Sequence, residues 1–178
     1  MSRSPAPPLA VSFDTDPWLA AGDRAVHSSG CDRSERLVTA IAEGLAAVAV
    51  PWELATGGSP DERRYQLIVA TDAYDAWLIH WPAGSALEAH DHGGSAGAFA
   101  VVSGLLEEHS VVGDLEVTRR VGAGESVFFG ADHVHAVVNP NDTAATSVHV
   151  YTPPLRSMGF YRADDGALLL DRIDVLAS

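Results

Sequence analysis

The sequence holds a single cysteine, Cys31, among 178 residues. No intramolecular disulfide can form, and a reducing compartment suits such a chain. Positive charge is also scarce: 11 Lys and Arg stand against 24 Asp and Glu, a formal net charge of −13. That balance argues against a nucleic-acid partner and against an anionic membrane surface. No apolar run approaches the roughly 20 residues a membrane helix needs. The first nine residues carry Arg3 and three prolines but no apolar core, so they read as a tail rather than a signal peptide. Neither an internal repeat nor a low-complexity block is present. These absences leave a cytoplasmic protein, monomeric or a small homo-oligomer, whose partner is a small molecule. Apolar residues make up 47% and charged residues 20% of the chain, an ordinary globular composition with length enough to bury a core.

The chain divides into a tail with a short helix over residues 1–33 and one domain with a leading helix over residues 34–178. Residues 17–21 read as the short helix, with Asp16 as cap and Pro17 at its first position. Residues 34–48 read as a longer one, capped by Ser34, with Leu37, Ile41, Leu45 and Val48 on one apolar face. Pro51 ends the helical part. After a turn at Gly57-Gly58-Ser59-Pro60, residues 61–65 suggest a helical turn. The pattern then changes to short runs rich in Val, Ile, Phe, Tyr and Trp: residues 65–71, 76–81, 97–102, 105–111, 115–120, 125–129, 135–138 and 146–151, with two weaker runs at 159–162 and 168–171. Turn residues separate them. The fold class is mainly β, a jelly-roll β-barrel preceded by N-terminal helices.

Two elements carry chemistry. The first is Gly84-x5-His90-x-His92-x4-Gly97-x6-Gly104. Residues i and i+2 of a strand share a face, so His90 and His92 can hold one ion together. The second, Gly124-x5-Gly130-x-Asp132-x2-His135-x3-Asn139, brings a third histidine from a strand opposite. Neutral imidazoles suit iron, zinc, copper and nickel. Three of them leave the dipositive charge of a metal uncancelled, with positions open for a thiolate and for O2.

The two elements resemble the cupin motifs, except that Gly97 stands where the first motif has glutamate. The likeness narrows to the cysteine dioxygenase family over residues 62–162. His90-Asp91-His92-Gly93-Gly94-Ser95 resembles that family's HDHGGS signature, residues 133–139 its third-ligand segment, and Ser147-Val148-His149-Val150-Tyr151-Thr152-Pro153-Pro154 its S-x-H-x-Y-S-P-P segment. The resemblance implies a non-haem iron enzyme that converts a thiol, L-cysteine first, to its sulfinic acid with both atoms of O2. His90, His92 and His135 would be ligands of Fe(II). Ser147, His149 and Tyr151 would form a hydrogen-bonded relay, and Thr152-Pro153 would be a cis peptide.

Two positions depart from the family. Animal enzymes carry at the Gly97 position a cysteine that cross-links to the active-site tyrosine, so Tyr151 here should be unmodified. The family also holds the substrate carboxylate with an arginine two residues after a tyrosine. Here the tyrosine is Tyr65 and the arginine position falls on Leu67, while Gln66 resembles the glutamine of relatives that act on 3-mercaptopropionate. Arg63 or Arg64 could turn inward instead, since fork-like carboxylate recognition needs arginine. Cysteamine, a specialised thiol, oxidation coupled to decarboxylation, and Ni(II) in place of iron remain open, as do an unrelated cupin enzyme and a binding protein without catalysis. His133 reads as an outer-sphere or surface residue, His80 and His109 as structural or exposed, His27 as a loop residue. Trp77, Trp81, Phe99, Phe128 and Phe129 read as core or pocket wall. Asp91 should point away from the metal into a hydrogen bond.

Overall fold

The structure is a computed structural model that describes residues 31–49, 61–112, 115–164 and 167–176. The short helix expected at 17–21, His27, Pro51 and the turn at 57–60 lie outside the described residues. Helix α1 spans Cys31–Val48. The strands are β1 (Arg64–Ala70), β2 (Asp75–Trp81), β3 (Ala86–His90), β4 (Ala96–Ser103), β5 (Leu105–Val112), β6 (Leu115–Gly122), β7 (Ser126–Phe129), β8 (His135–Val138), β9 (Ala145–Thr152), β10 (Ser157–Asp164) and β11 (Ala167–Val175). They form a five-stranded sheet in the order β1-β2-β9-β4-β7 and a six-stranded sheet in the order β11-β10-β3-β8-β5-β6. The expected jelly roll is present as these two facing sheets. Among the described residues, no helix is long and apolar enough to cross a membrane.

Period-2 alternation explains the layers. In the five-stranded sheet, Ile79, Trp81, Phe99, Val101, Phe129 and Tyr151 point inward, and meet Leu106, Val121 and Val137 of the other sheet. Their neighbours Ala76, Leu78, Ala98, Ala100, Val148 and Val150 point outward, against α1. The central strands are therefore buried on both faces and read as nearly continuous apolar runs.

The helix begins three residues earlier than its sequence suggests, so Ser34 lies in its first turn rather than capping it. Its buried stripe is also rotated. Val38 and Ala42 are fully buried, whereas Leu37 is 50% and Val48 80% exposed. The outer face of the sheet is largely alanine and valine, and Ile41 and Leu45 pack on it beside the fully buried Val38 and Ala42. Residues 61–65 form a turn and the start of β1 rather than a helical turn. Strand β3, not evident in the sequence, pairs with β8 through a register irregularity between Leu87 and His90.

Candidate metal centre

His90 ends β3, His92 follows it by two residues, and His135 opens β8. His90 and His135 are direct cross-strand partners. The strand opposite that supplies the third histidine is thus β8, the antiparallel neighbour of β3 in the same sheet. All three are buried, and one ring nitrogen from each lies within 4.8 Å of the others. The centroids of His90 and His92 are 5.0 Å apart, those of His90 and His135 4.7 Å.

Hydrogen bonds fix which nitrogens face the centre. His90 Nδ1 lies 2.8 Å from the Glu88 carbonyl oxygen, which can only accept, so Nδ1 carries the hydrogen and Nε2 keeps its lone pair. His135 Nδ1 donates in the same way to Glu108 Oε1 at 2.8 Å. His92 is fully buried, yet neither of its ring nitrogens has a partner. An orphaned buried polar atom costs about 1–3 kcal/mol, and a metal ion shared with His90 and His135 would satisfy it. Burial and the neighbouring imidazoles push His90 and His92 well below the usual histidine range, and burial lowers His135. All three are the neutral imidazoles a metal requires.

The ligand-bearing turn is tethered by Asp91, whose side chain points away from the centre. Asp91 Oδ1 accepts from the amides of Gly93 at 2.8 Å and Gly159 at 3.2 Å, and Oδ2 from the Tyr161 hydroxyl at 2.5 Å. A Cβ on Gly159 would stand 2.7 Å from Asp91 Oδ2, so glycine lets β10 close on the turn.

Across the sandwich, β9 brings Ser147, His149 and Tyr151 onto one inner face. The Trp81 indole donates to Ser147 Oγ at 2.8 Å, Ser147 Oγ and His149 Nε2 are 2.9 Å apart, and His149 Nδ1 and Tyr151 Oη 3.3 Å apart. Burial holds His149 well below the usual range, so its ring is neutral with one hydrogen. If that hydrogen sat on Nε2, the buried Ser147 hydroxyl would have no acceptor here. Placed on Nδ1, it leaves Nε2 to accept from Ser147 and lets Nδ1 donate to the Tyr151 oxygen. The phenol proton is then free to point into the cavity. Burial raises the Tyr151 phenol above its ordinary value, so it keeps that proton at neutral pH.

Tyr151 reaches the histidines directly, its ring centroid 5.1 Å from that of His92, and a cavity of about 530 Å³ has Arg63, Tyr65, His90, His149, Tyr151 and Phe160 in its wall. Of the five positions singled out around the tyrosine, Arg63 and Tyr65 line it. Arg64 lies beside β1's outer face and pairs with Glu62 at 3.0 Å, and Gln66 is exposed. Leu67 pairs with Trp77 and so shares the inner face, but it lies beyond the rim, 44% exposed. Among the described residues, two cations border the cavity: Arg63, with its guanidinium carbon 4.6 Å from the centroid of the Trp81 ring, and the more exposed Arg172, over the Phe160 ring. The Arg63 Nε is buried without a partner among the described residues, and burial lowers the Arg63 pKa from the ordinary value. A register bulge between Leu67 and Val69 separates this end of β1 from the rest of the ladder, which sequence spacing alone does not reveal.

Two residues at the centre escaped the sequence reading. Glu108 is buried between the histidines of the third-ligand segment. Burial would raise its carboxyl, but hydrogen bonds from His133 and His135 hold it down at about 2. The available signal was an acid on the alternating face of Leu106 and Ser110. Phe129, expected as core or pocket wall and not as a partner of the ligands, stacks on His92 at 4.5 Å and contacts His135 and Tyr151. The Thr152-Pro153 peptide is cis.

Residues 32–163 match the family model described as cysteine dioxygenase type I. Among solved structures, the chain is similar to an uncharacterized conserved protein with a double-stranded β-helix domain from Klebsiella pneumoniae subsp. pneumoniae MGH 78578. The identity is 20% and the TM-score 0.50, over 60% of this chain and 89% of that one. It is also similar to an oxalate oxidase solved with the substrate analogue glycolate, at 15% identity and a TM-score of 0.52, over 65% of this chain and 63% of that one. At these identities the two structures speak for the fold alone.

Proposed function

Because this chain belongs to the cysteine dioxygenase type I family, whose members are thiol dioxygenases using non-haem iron, we propose that it oxidises a small carboxylate-bearing thiol, L-cysteine first, to the sulfinic acid. The reaction balances as one thiol and one O2 giving one sulfinic acid, with both oxygen atoms retained on sulfur. One observation carries the reading: His90, Tyr151 and Arg63 line the same cavity.

His90, His92 and His135 would hold Fe(II), which supplies a redox-active Lewis acid where a thiolate and O2 can meet. The surrounding residues do the rest. Arg63 binds the carboxylate, its orphaned Nε finding there the acceptor it lacks. A guanidinium braced on Trp81 is held in place before substrate arrives, which lowers the entropic cost of binding. Tyr151 donates its phenol proton to the substrate or to the oxygen being transferred, while His149 and Ser147 hold the ring's partner hydrogen bonds in one sense. The apolar wall, with Ile79, Leu155 and Phe160, keeps water from competing.

Arg63 stands two residues before Tyr65, where the family pattern puts its arginine two residues after. In a strand both positions lie on the face of the tyrosine, so the charge required for a carboxylate is supplied from the other side. This favours L-cysteine and 3-mercaptopropionate over cysteamine, which has no carboxylate. Oxygen uptake by iron-loaded protein with these three thiols tests the reading. Uptake with the two acids and little with cysteamine is expected. A preference for cysteamine would remove the role of Arg63, and no uptake with any thiol would end the proposal. Nickel-loaded protein run in parallel decides the metal.

A further inference from the structure

The buried carboxylate of Glu108 has no part in the chemistry above, and its surroundings are unusual. One oxygen, Oε1, lies 2.8 Å from His135 Nδ1 and 3.2 Å from His133 Nε2. A single acceptor thus bridges a metal-ligand histidine and a second histidine two residues earlier in the chain. His133 is itself held by stacking on Phe129, with centroids 6.1 Å apart and planes 18° from parallel. That same Phe129 ring stacks on His92.

We propose that Glu108, steadied by His133, is a positioning residue that sets the tautomer and ring orientation of His135 and so the affinity of the three-histidine site for its metal. His90 is oriented by a backbone carbonyl, which no side-chain change can remove, and His92 by packing alone. His135 is the one ligand of the three whose orientation hangs on a side-chain hydrogen bond. A carboxylate behind a ligating imidazole fixes the hydrogen on the far nitrogen and makes the near one a better donor; removing such a partner typically costs about 10–100-fold in metal affinity. His133 supplies the second hydrogen bond, without which the buried carboxylate would swing on its χ angles. The proximity of Glu108, His133 and His135 would also allow a separate ion to bind among these three groups. Hydrogen bonding already accounts for their separations, and His135 cannot donate Nδ1–H to Glu108 while offering Nδ1 to a metal.

The inference rests on the metal site but not on the thiol as substrate, and its test leaves turnover aside. Metal-free full-length protein is titrated anaerobically with Co(II) and with Fe(II), following cobalt absorption and counting bound ions. Wild type should take one ion per chain. Glu108→Ala should weaken binding by about 10–100-fold, Glu108→Gln by less, because the amide oxygen still accepts from His135, with a shifted cobalt spectrum. His133→Ala should weaken binding by less than Glu108→Ala. Glu107→Gln, on the neighbouring residue paired with Arg120, should match wild type. Affinity and cobalt spectrum unchanged in Glu108→Gln and in a folded Glu108→Ala would overturn the proposal. So would two ions per chain with the second lost on substituting Glu108. Should Glu108→Ala fail to fold, by far-UV circular dichroism, Glu108→Gln and His133→Ala decide. A protein that binds metal as described but oxidises no thiol would refute the proposed function and leave this role standing.

Discussion

Gly97 sits under the ring of Phe129: a Cβ at Gly97 would stand 2.6 Å from Phe129 Cζ, and the same from the Val150 carbonyl oxygen. Gly97 is also the cross-strand partner of Tyr151. The room beside the tyrosine that any larger side chain would need is therefore filled by an aromatic ring that also packs on His92. Gly97→Ala should destabilise the protein by about 1–3 kcal/mol, the usual cost of overpacking a core. Adding Phe129→Leu should recover part of that loss and not all, because the Val150 carbonyl is backbone and cannot step aside. A double-mutant cycle on chemical denaturation midpoints measures the coupling. Additive effects would show that the two residues do not share the space.

Tyr151→Phe removes the hydroxyl that donates into the cavity and leaves the ring. Turnover should fall by about 10- to 100-fold, the worth of one hydrogen bond to a charged group, while metal content stays at the wild-type level. Ser147→Ala acts one step further back. It should shift the pH dependence of turnover, since His149 loses its partner on Nε2. A Tyr151→Phe enzyme as fast as wild type would dismiss the phenol as a proton donor.

Arg63 and Arg64 are adjacent and face opposite ways, which makes them a matched pair of controls. Arg63→Ala should raise KM for carboxylate thiols by about tenfold or more, the loss of a charge-assisted hydrogen bond, with a smaller change in kcat. Arg64→Ala should leave both constants near wild type, since it breaks only an exposed ion pair with Glu62. Steady-state kinetics of the two variants side by side gives the answer. Equal effects would place the anion site elsewhere.

The metal-free protein should lose stability on acidification, with one onset from the histidines and a second from Glu108. His90, His92, His135 and His149 are all held below the ordinary value of 6.5, so below that pH the unfolded chain binds protons the folded one refuses. Each such group costs about 1.4 kcal/mol per pH unit until its own folded pKa is reached. Glu108 is shifted in the same direction from a lower starting value: its contribution is present above 4.5 and lost as pH falls toward about 2. Thermal midpoints of metal-free protein should therefore fall as pH drops from 7 toward 5, and bound metal should oppose the first loss by mass action. A flat midpoint across that range would contradict the burial of neutral histidines.

Much of the site was legible in the sequence because its spacing is local. His90 and His92 are separated by one residue, and Ser147, His149 and Tyr151 alternate along one strand, so period-2 geometry alone places each set on a face. The short β runs, bounded by turn residues, likewise revealed most of the strands. What depended on pairing between distant segments was not visible. Glu108 meets His135 only through the β5–β8 ladder, Phe129 meets Gly97 only through the β4–β7 ladder, and which of two neighbouring arginines turns inward depends on the register of an edge strand. The rotated stripe of α1 has the same origin: Ile41 and Leu45 pack as the helix's own periodicity indicates, but the docking of the helix on the sheet adds Val38 and Ala42 and leaves Leu37 and Val48 exposed.

The central claim is dioxygenation of a thiol at the three-histidine centre, and isotope labelling tests it most directly. Iron-loaded protein is supplied with L-cysteine and fully ¹⁸O-labelled O2, and the product is analysed by mass spectrometry, with the His92→Ala variant as control. The expected result is a sulfinic acid carrying both labelled atoms from wild type and none from the variant. A product with one labelled atom or none, or simple disulfide with the label recovered in water or peroxide, would contradict it.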